Sequence, residues 1–232
     1  MFQGLVQYFN YRELRLRSNY LINKRLTRKG SIMHKNYDNL LYIKTSNTGI
    51  YIEESPHYHH YEATPYTIIH TLFEEYKLQR TDGFVDFGSG KGRLLFYVHH
   101  MFGSSVTGIE MNEHLYNKTL RNKKNYLKHA KKKGAIQLEW CLAEKYSVKE
   151  TDNVFYFFNP FSVQIFMKVI NNILDSVKKY PRRIDLILYY PSTVYIHYLE
   201  RNTSFKQLQE VRVPGLYHIN ENERFLIYRL EI

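Results

Sequence analysis

The sequence predicts an α/β fold: a doubly wound, mostly parallel sheet of seven strands that ends in a C-terminal antiparallel hairpin and follows a basic N-terminal helical extension. Three observations predict it. From Gly83 onward, short apolar runs and helical stretches alternate five times, which calls for a parallel sheet with helices on both faces. The first run, Phe84 to Phe87, breaks into a cluster of glycines before a helix begins. The last two runs follow each other with no helix assigned between them, joined through Pro214-Gly215 and a longer loop. At 232 residues and 44% hydrophobic content, the chain can build one sizeable core.

Two units are expected, residues 1–54 as the extension and 55–232 as a ligand-binding domain. In the first, Arg12, Arg15, Arg17, Lys24, Arg25 and Arg28 face only Glu13 among acids, with Phe9, Leu14, Leu21 and Leu26 interleaved. This reads as one or two amphipathic helices. Leu40 to Ile52 reads as two short strands around the turn Ser46-Asn47-Thr48-Gly49, and Ser55 to Tyr66 as a loop rich in His and Tyr. A helix is expected after Thr64. It takes Pro65 at its first position, where the missing N–H costs nothing, and runs to about Gln79.

The alternating part then gives strands at Phe84 to Phe87, Ser105 to Glu110, Ala135 to Trp140, Val154 to Phe158 and Ile184 to Tyr190. Helices are expected at Leu94 to Met101, Glu113 to Lys133 and Val163 to Tyr180, and tail strands at Lys206 to Val213 and Arg224 to Ile232. Right-handed crossovers wind such a chain into two layers of helices. A ligand then lies outside the carboxyl ends of the strands, at the switch point.

Composition narrows the function classes. A net charge of +11 favours acidic partners, nucleic acid above all, although codon bias in an AT-rich genome also enriches Lys, Asn, Tyr and Ile. The single cysteine, Cys141, excludes a disulfide within the chain and makes a thiolate zinc site hard to build. His57, His59 and His60 match no trusted ligand spacing, so no metal is expected. Met1 to Asn10 lacks the apolar run of a signal peptide, and no stretch approaches the roughly 20 apolar residues of a membrane span. A soluble, cytoplasmic protein is the simplest expectation.

Chemistry concentrates where Phe84-Val85-Asp86-Phe87 meets Gly88-Ser89-Gly90-Lys91-Gly92-Arg93. Residues without a Cβ let the chain turn tightly and approach a ligand. The spacing is G-x-G-x-G with an acid on the strand, where a dinucleotide site would have G-x-G-x-x-G. Arg93 also blocks the close helix–strand approach that the third dinucleotide glycine allows. Further on, Val106-Thr107-Gly108-Ile109-Glu110 ends a strand in a second acid. A carboxylate there can accept both hydroxyls of a ribose, or it can cap the basic helix that follows.

The first stretch resembles motif I of class I S-adenosylmethionine (SAM)-dependent methyltransferases, whose fold is Rossmann-like. The resemblance implies that Asp86 with Gly88, Ser89, Gly90 and Gly92 holds the amino-acid part of SAM. It implies that Glu110 holds the ribose, and that Met111 flanks the adenine. That family commonly carries an Asp where this chain has Cys141-Leu142-Ala143-Glu144, so Leu142 and Ala143 are the expected adenine contacts, with plain packing as the other reading. Phe158-Asn159-Pro160-Phe161 resembles the Asp/Asn-Pro-Pro-aromatic motif of amino-group methyltransferases but has one proline. It nominates Asn159, Pro160 and Phe161 as the catalytic set, with Asn159 also touching the cofactor; a strand end capped by Asn and stopped by Pro would look the same.

Tyr61-Glu62-Ala63-Thr64-Pro65-Tyr66 resembles a segment of small lysine N-methyltransferases that folds over SAM, which adds Thr64 and Tyr66 to the cofactor contacts. The expected function is SAM-dependent methyl transfer to an amino nitrogen of a protein or nucleic acid. The alternative is a nucleic-acid-binding protein on a scaffold that no longer methylates. Both macromolecular and small-molecule acceptors, and any oligomeric state, stay open on these residues.

Overall fold

The computed structural model describes residues 37–46, 57 and 61–232. Its centre is one seven-stranded sheet of order β3-β2-β1-β4-β5-β7-β6. The strands are β1 (Gly83–Phe87), β2 (Ser105–Glu110), β3 (Ile136–Trp140), β4 (Asp152–Phe157), β5 (Ile184–Tyr189), β6 (Lys206–Arg212) and β7 (Arg224–Leu230). The first five pair in parallel. The last two form an antiparallel hairpin whose β7 inserts beside β5. The expected seven strands are therefore all present, and the order in which strands are added reverses between β1 and β4, the switch point.

The strands alternate sides with period two. Phe84, Val154, Tyr156 and Ile187 join one apolar cluster, while Val85, Phe155, Phe157, Leu186 and Leu188 join the other. Helices α2 (Tyr66–Glu75), α3 (Arg93–Phe102) and α4 (Glu113–Leu127) cover the first face. Helices α5 (Val163–Lys179) and α6 (Thr193–Asn202) cover the second. In α5 the buried residues Ile165, Phe166, Val169, Ile170, Ile173 and Val177 recur every three or four positions, the stripe that lets a helix lie on a sheet.

Four elements differ from expectation. Helix α4 ends at Leu127, not Lys133. Tyr126 is its last buried residue, fixed by a 2.6 Å hydrogen bond between its hydroxyl and His99 Nδ1; the seven residues from Leu127 to Lys133 are exposed or half-buried and carry a run of like charges, which gives the helix nothing to pack. Helix α2 starts one residue later, with Pro65 as its cap: the Pro65 carbonyl accepts from the amides of Ile68 and Ile69. It stops at Glu75 because Tyr76 turns extended and donates its hydroxyl to buried Asp185 at 2.6 Å.

A one-turn helix, α1 (Tyr37–Leu40), precedes the stretch expected as strands and ends at its first residue, and from there to Ser46 the chain is irregular. Asp38 imposes that path by accepting from the Thr45 amide and from the Thr45 and Ser46 hydroxyls. Helix α6 had no counterpart in the sequence reading. The rest of the two expected strands, the helices at 1 to about 35 and the 54/55 boundary lie outside the described residues. Among the described residues, no helix is long and apolar enough to cross a membrane.

Candidate active site

The carboxyl ends of β1, β2 and β4 converge on the glycine loop. Gly88, Gly90 and Gly92 all take positive φ, at 80°, 56° and 81°. The amides of Gly88 and Ser89 both donate to the Ile109 carbonyl at 3.0 Å, so the loop hangs from the end of β2. Side chains are excluded by space as well as by dihedral. A Cβ on Gly88 would stand 2.9 Å from Pro160 Cβ, and one on Gly90 would overlap the Tyr61 ring.

Two carboxylates flank the loop with opposite surroundings. Glu110 is buried, and its oxygens accept at 2.8 Å from the amides of Gly90 and Asn112. Burial pushes its pKa up, and hydrogen bonds from the Asn112, Gly90 and Met111 amides pull it back. Asp86 is also buried, between its register partners Gly108 and Tyr156 on the neighbouring strands. No hydrogen-bond donor among the described residues reaches its carboxylate. Burial first, and the nearby Glu110 charge second, push it up to about 8. A buried acid in this condition is stabilised by any cation delivered to it.

The segment before α2 folds over this loop. The Tyr61 ring rests on Gly90, its hydroxyl reaches the Thr45 carbonyl at 3.4 Å, and Lys91 Nζ lies 5.0 Å from its centroid. Arg93, the first residue of α3, ties the segment down. Its Nε donates to Thr45 Oγ1 at 2.7 Å, its Nη1 reaches the Thr64 carbonyl at 3.3 Å, and its guanidinium lies 4.8 Å from the Tyr66 ring centroid.

Thr64 and Tyr66, the two residues expected to touch a cofactor carboxylate, both have protein partners. Thr64 Oγ1 is 2.9 Å from the Tyr156 hydroxyl, and Tyr66 donates to Asp38 at 2.6 Å. Burial pushes Asp38 up, but the hydrogen bonds of Thr45 and Tyr66 and the Arg93 charge outweigh it and leave it below the usual aspartate value. Tyr61, Arg93, Asp38 and Tyr156 were not among the expected site residues. Only Tyr61 had a signal, its place in the Tyr-x-x-Thr-Pro stretch; the other contacts are long-range.

At the far side of Glu110 the structure gathers Met111, Leu142 and the sole tryptophan, Trp140. Trp140 Nε1 donates to the Met111 carbonyl at 2.9 Å. Leu142 is exposed, whereas Ala143 is buried in the second apolar cluster. The Cys141 amide, just before Leu142, donates to the Glu110 carbonyl at 3.2 Å, which sets Leu142 and Met111 beside the end of β2.

The ends of β4 and β5 are built alike. Each strand closes with an aromatic residue, a residue of positive φ and a proline: Phe158-Asn159-Pro160 and Tyr189-Tyr190-Pro191. Asn159 has φ 39° and Tyr190 φ 51°. Asparagine tolerates this region far better than tyrosine does. Since β4 and β5 pair in register up to Phe157 and Leu188, the two kinks face the same cleft side by side. Backbone held in such a conformation points to function. The Tyr190 hydroxyl accepts from Asn220 Nδ2 at 2.8 Å.

Phe161 departs from its expected place. Its ring is 1% exposed and packs edge-on against Phe87 and Phe157, while its carbonyl accepts from the Tyr195 hydroxyl. It braces the loop and does not face the cleft; Phe158, half-buried against Tyr189 at 4.6 Å, is the aromatic closer to solvent. Asn159 has a buried side-chain oxygen, and Pro160 lies on Gly88.

A family model described as "Histone methylation protein DOT1" matches residues 51–211. No curated protein matches the chain. Among solved structures, the fold is similar to the PH0226 protein from Pyrococcus horikoshii OT3, at 14% identity over 70% of this chain and 87% of that one, with a TM-score of 0.52. It is also similar to a protein in the NADB-Rossmann superfamily from Streptococcus agalactiae, at 13% identity, 73% and 69% coverage and a TM-score of 0.50. An RNA methyltransferase from Salinibacter ruber, solved with S-adenosyl-L-homocysteine, gives 16% identity, 73% and 92% coverage and a TM-score of 0.48. At these identities the likeness is one of fold.

Proposed function

The chain belongs to the family described as histone methylation protein DOT1, and from that premise we propose that it transfers the methyl group of SAM to an amino nitrogen of a protein, a lysine side chain first of all. The observation that carries the proposal is Asp86. A buried carboxylate with no hydrogen-bond donor among the described residues, beside a backbone that has shed its side chains, fits an amino-acid ammonium group.

Asp86 would bind that ammonium, the Gly88 to Gly92 backbone would lie along the chain next to it, and Glu110 would accept from the ribose hydroxyls with the lone pairs that Gly90 and Asn112 leave over. Met111 and Leu142 would flank the adenine. SAM bound there supplies a methyl group on a sulfonium, an electrophile that needs no metal and no acid. The incoming amine must first give up its ammonium proton to solvent so that its lone pair is free; what remains is alignment, and effective molarity supplies most of it. Asn159 would accept hydrogen bonds from the incoming amine and so aim its lone pair, with Phe158 and Tyr190 as apolar walls. Tyr61 over Gly90 would keep water from the loop. The residues 55–232 would form the whole cofactor domain, in a reducing compartment such as the cytoplasm.

Calorimetric titration with SAM, S-adenosylhomocysteine and NADH tests the first half. Micromolar affinity for the first two and none for NADH is expected, and no adenosyl binding would overturn the reading. Labelled SAM offered with lysine-rich protein and with RNA tests the second half. Label in protein supports it, label in RNA moves the acceptor to a nucleobase amine, and SAM binding without product in any acceptor favours a scaffold that only binds.

A further inference from the structure

Helix α4 lies on the sheet through Leu115, Thr119, Asn122 and Tyr126. Its opposite face carries the densest charge among the described residues. From Lys118 to Lys133 the chain has eight Lys or Arg and no acid. Arg121, Lys124 and Lys128 stand exposed on the outer side of the helix, and Lys131, Lys132 and Lys133 are exposed just beyond it. None of these six has an ion-pair partner among the described residues. Like charges so placed repel one another, and the repulsion is relieved by a bound polyanion.

A second observation lies at the top of the same helix. Trp140 ends β3, the edge strand of the sheet, and is 55% exposed. Its indole N–H is satisfied by the Met111 carbonyl, and its ring is stacked near Tyr116 of α4, with centroids 6.2 Å apart and 24° between planes. This is an exposed indole that the fold holds in one orientation. A solvated helix face accounts for the lysines but not for a fixed, half-bare tryptophan at the start of the same helix.

We propose that the outer face of α4, from Lys131–Lys133 to the Tyr116–Trp140 pair, is a binding surface for single-stranded nucleic acid, independent of the methyl acceptor. Fixed aromatic rings give bases a stacking platform, and the cations track the phosphates between them. The helix has 15 residues, roughly 22 Å at 1.5 Å per residue, long enough for several nucleotides. An acidic peptide would use the cations and gain nothing from the rings. A lipid surface would use the exposed Leu120 and Leu127 with the cations but would give no role to a stacked, hydrogen-bonded indole, and vesicles are therefore a separate arm of the test.

Trp140 is the only tryptophan, and since its indole also touches Met111, its fluorescence is followed in the absence of SAM so that it reports on this surface. The full chain would be titrated with a uridine oligonucleotide of about ten residues, a length within single-stranded site sizes. Quenching is expected, with affinity falling about 100-fold between 50 and 200 mM salt if about five phosphates are neutralised. The triple variant Arg121→Glu, Lys124→Glu, Lys128→Glu, on exposed positions that leave the melting temperature in place, should weaken binding at least tenfold. Trp140→Ala should weaken it about tenfold when followed by oligonucleotide anisotropy. Oligonucleotide binding that neither quenches Trp140 nor responds to the triple variant would overturn the proposal. Equal quenching by poly-glutamate, or by phosphatidylserine vesicles, would overturn it in favour of an acidic peptide or a lipid surface.

Discussion

Replacing Asp86 with Asn should make the protein more stable and unable to bind its cofactor, and the size of the first effect follows from the structure. An aspartate ionises near 3.8 in the unfolded chain, and burial beside Glu110 raises Asp86 to about 8 in the fold. A folded-state pKa above the unfolded one gives a contribution that is fully present below about pH 4 and is lost as the pH rises to about 8. At pH 7 the gap is about three pH units, and at ~1.4 kcal/mol each the acid costs the fold about 4 kcal/mol. Asn removes that charge but leaves amide atoms short of partners, which costs about 1–2 kcal/mol. The net gain is then about 2–3 kcal/mol at pH 7, a rise in melting temperature of about 4–12 °C at this chain length. It should nearly vanish at pH 5, where Asp86 is protonated in the fold and only partly penalised. Urea unfolding of both proteins at pH 5 and pH 7, with and without SAM, measures all of this. At 100 times its Kd, SAM should add about 2.7 kcal/mol to the native protein and nothing to the variant. A variant no more stable than the native protein at pH 7, or one that SAM stabilises equally, would refute the assignment of Asp86 as an acid kept ready for a cation.

Two other substitutions probe the rest of the site. Gly90→Ala meets both a positive φ of 56° and the Tyr61 ring. It should therefore displace Tyr61, cost about 1–3 kcal/mol and abolish SAM binding, read by thermal melting and calorimetry. At Asn159, with φ 39°, Asn159→Gly keeps the backbone and loses the amide, while Asn159→Ala loses both. Both variants should lose methyl transfer by about 100-fold or more, well beyond any loss of SAM affinity from the Asn159 contact to the cofactor, with the alanine variant alone about 1 kcal/mol less stable. Native activity in the Asn159→Gly protein would remove the amide from the mechanism.

How far the sequence carried the fold depends on whether each element had its own punctuation. Strand β1, the glycine loop and α3 were legible because an apolar run, positive-φ positions and a helix follow one another within a few residues. The register of β2 and the hairpin of β6 and β7 followed from the same logic. Helix α6 was missed because its buried face is only Tyr195 and Leu199, too sparse for a period. The end of α4 was misplaced because lysines propagate a helix as well as they decorate a loop, and it is Tyr126 meeting His99, 27 residues away, that sets the limit. The segment Tyr37 to Ser46 had strand-like residues, but one buried carboxylate, Asp38, bends it around itself.

The site divides along the same line. Asp86, the glycines and Glu110 are legible because their chemistry is local: a strand end and a turn bring them together whatever the rest of the chain does. The clamp is not legible, because it depends on which distant residues arrive. Arg93 looked like an obstacle to close packing beside Gly92. In the structure its side chain leaves the helix–strand contact altogether and holds Thr45, Thr64 and Tyr66 above the loop. The residue that excludes a dinucleotide site is thus also the anchor of the segment that covers Gly90. Loop spacing and cover are then a single structural choice. Glycine in place of Arg93 would leave the close approach of α3 to β2 at Gly108 unchanged and would release the Tyr61 segment from the site.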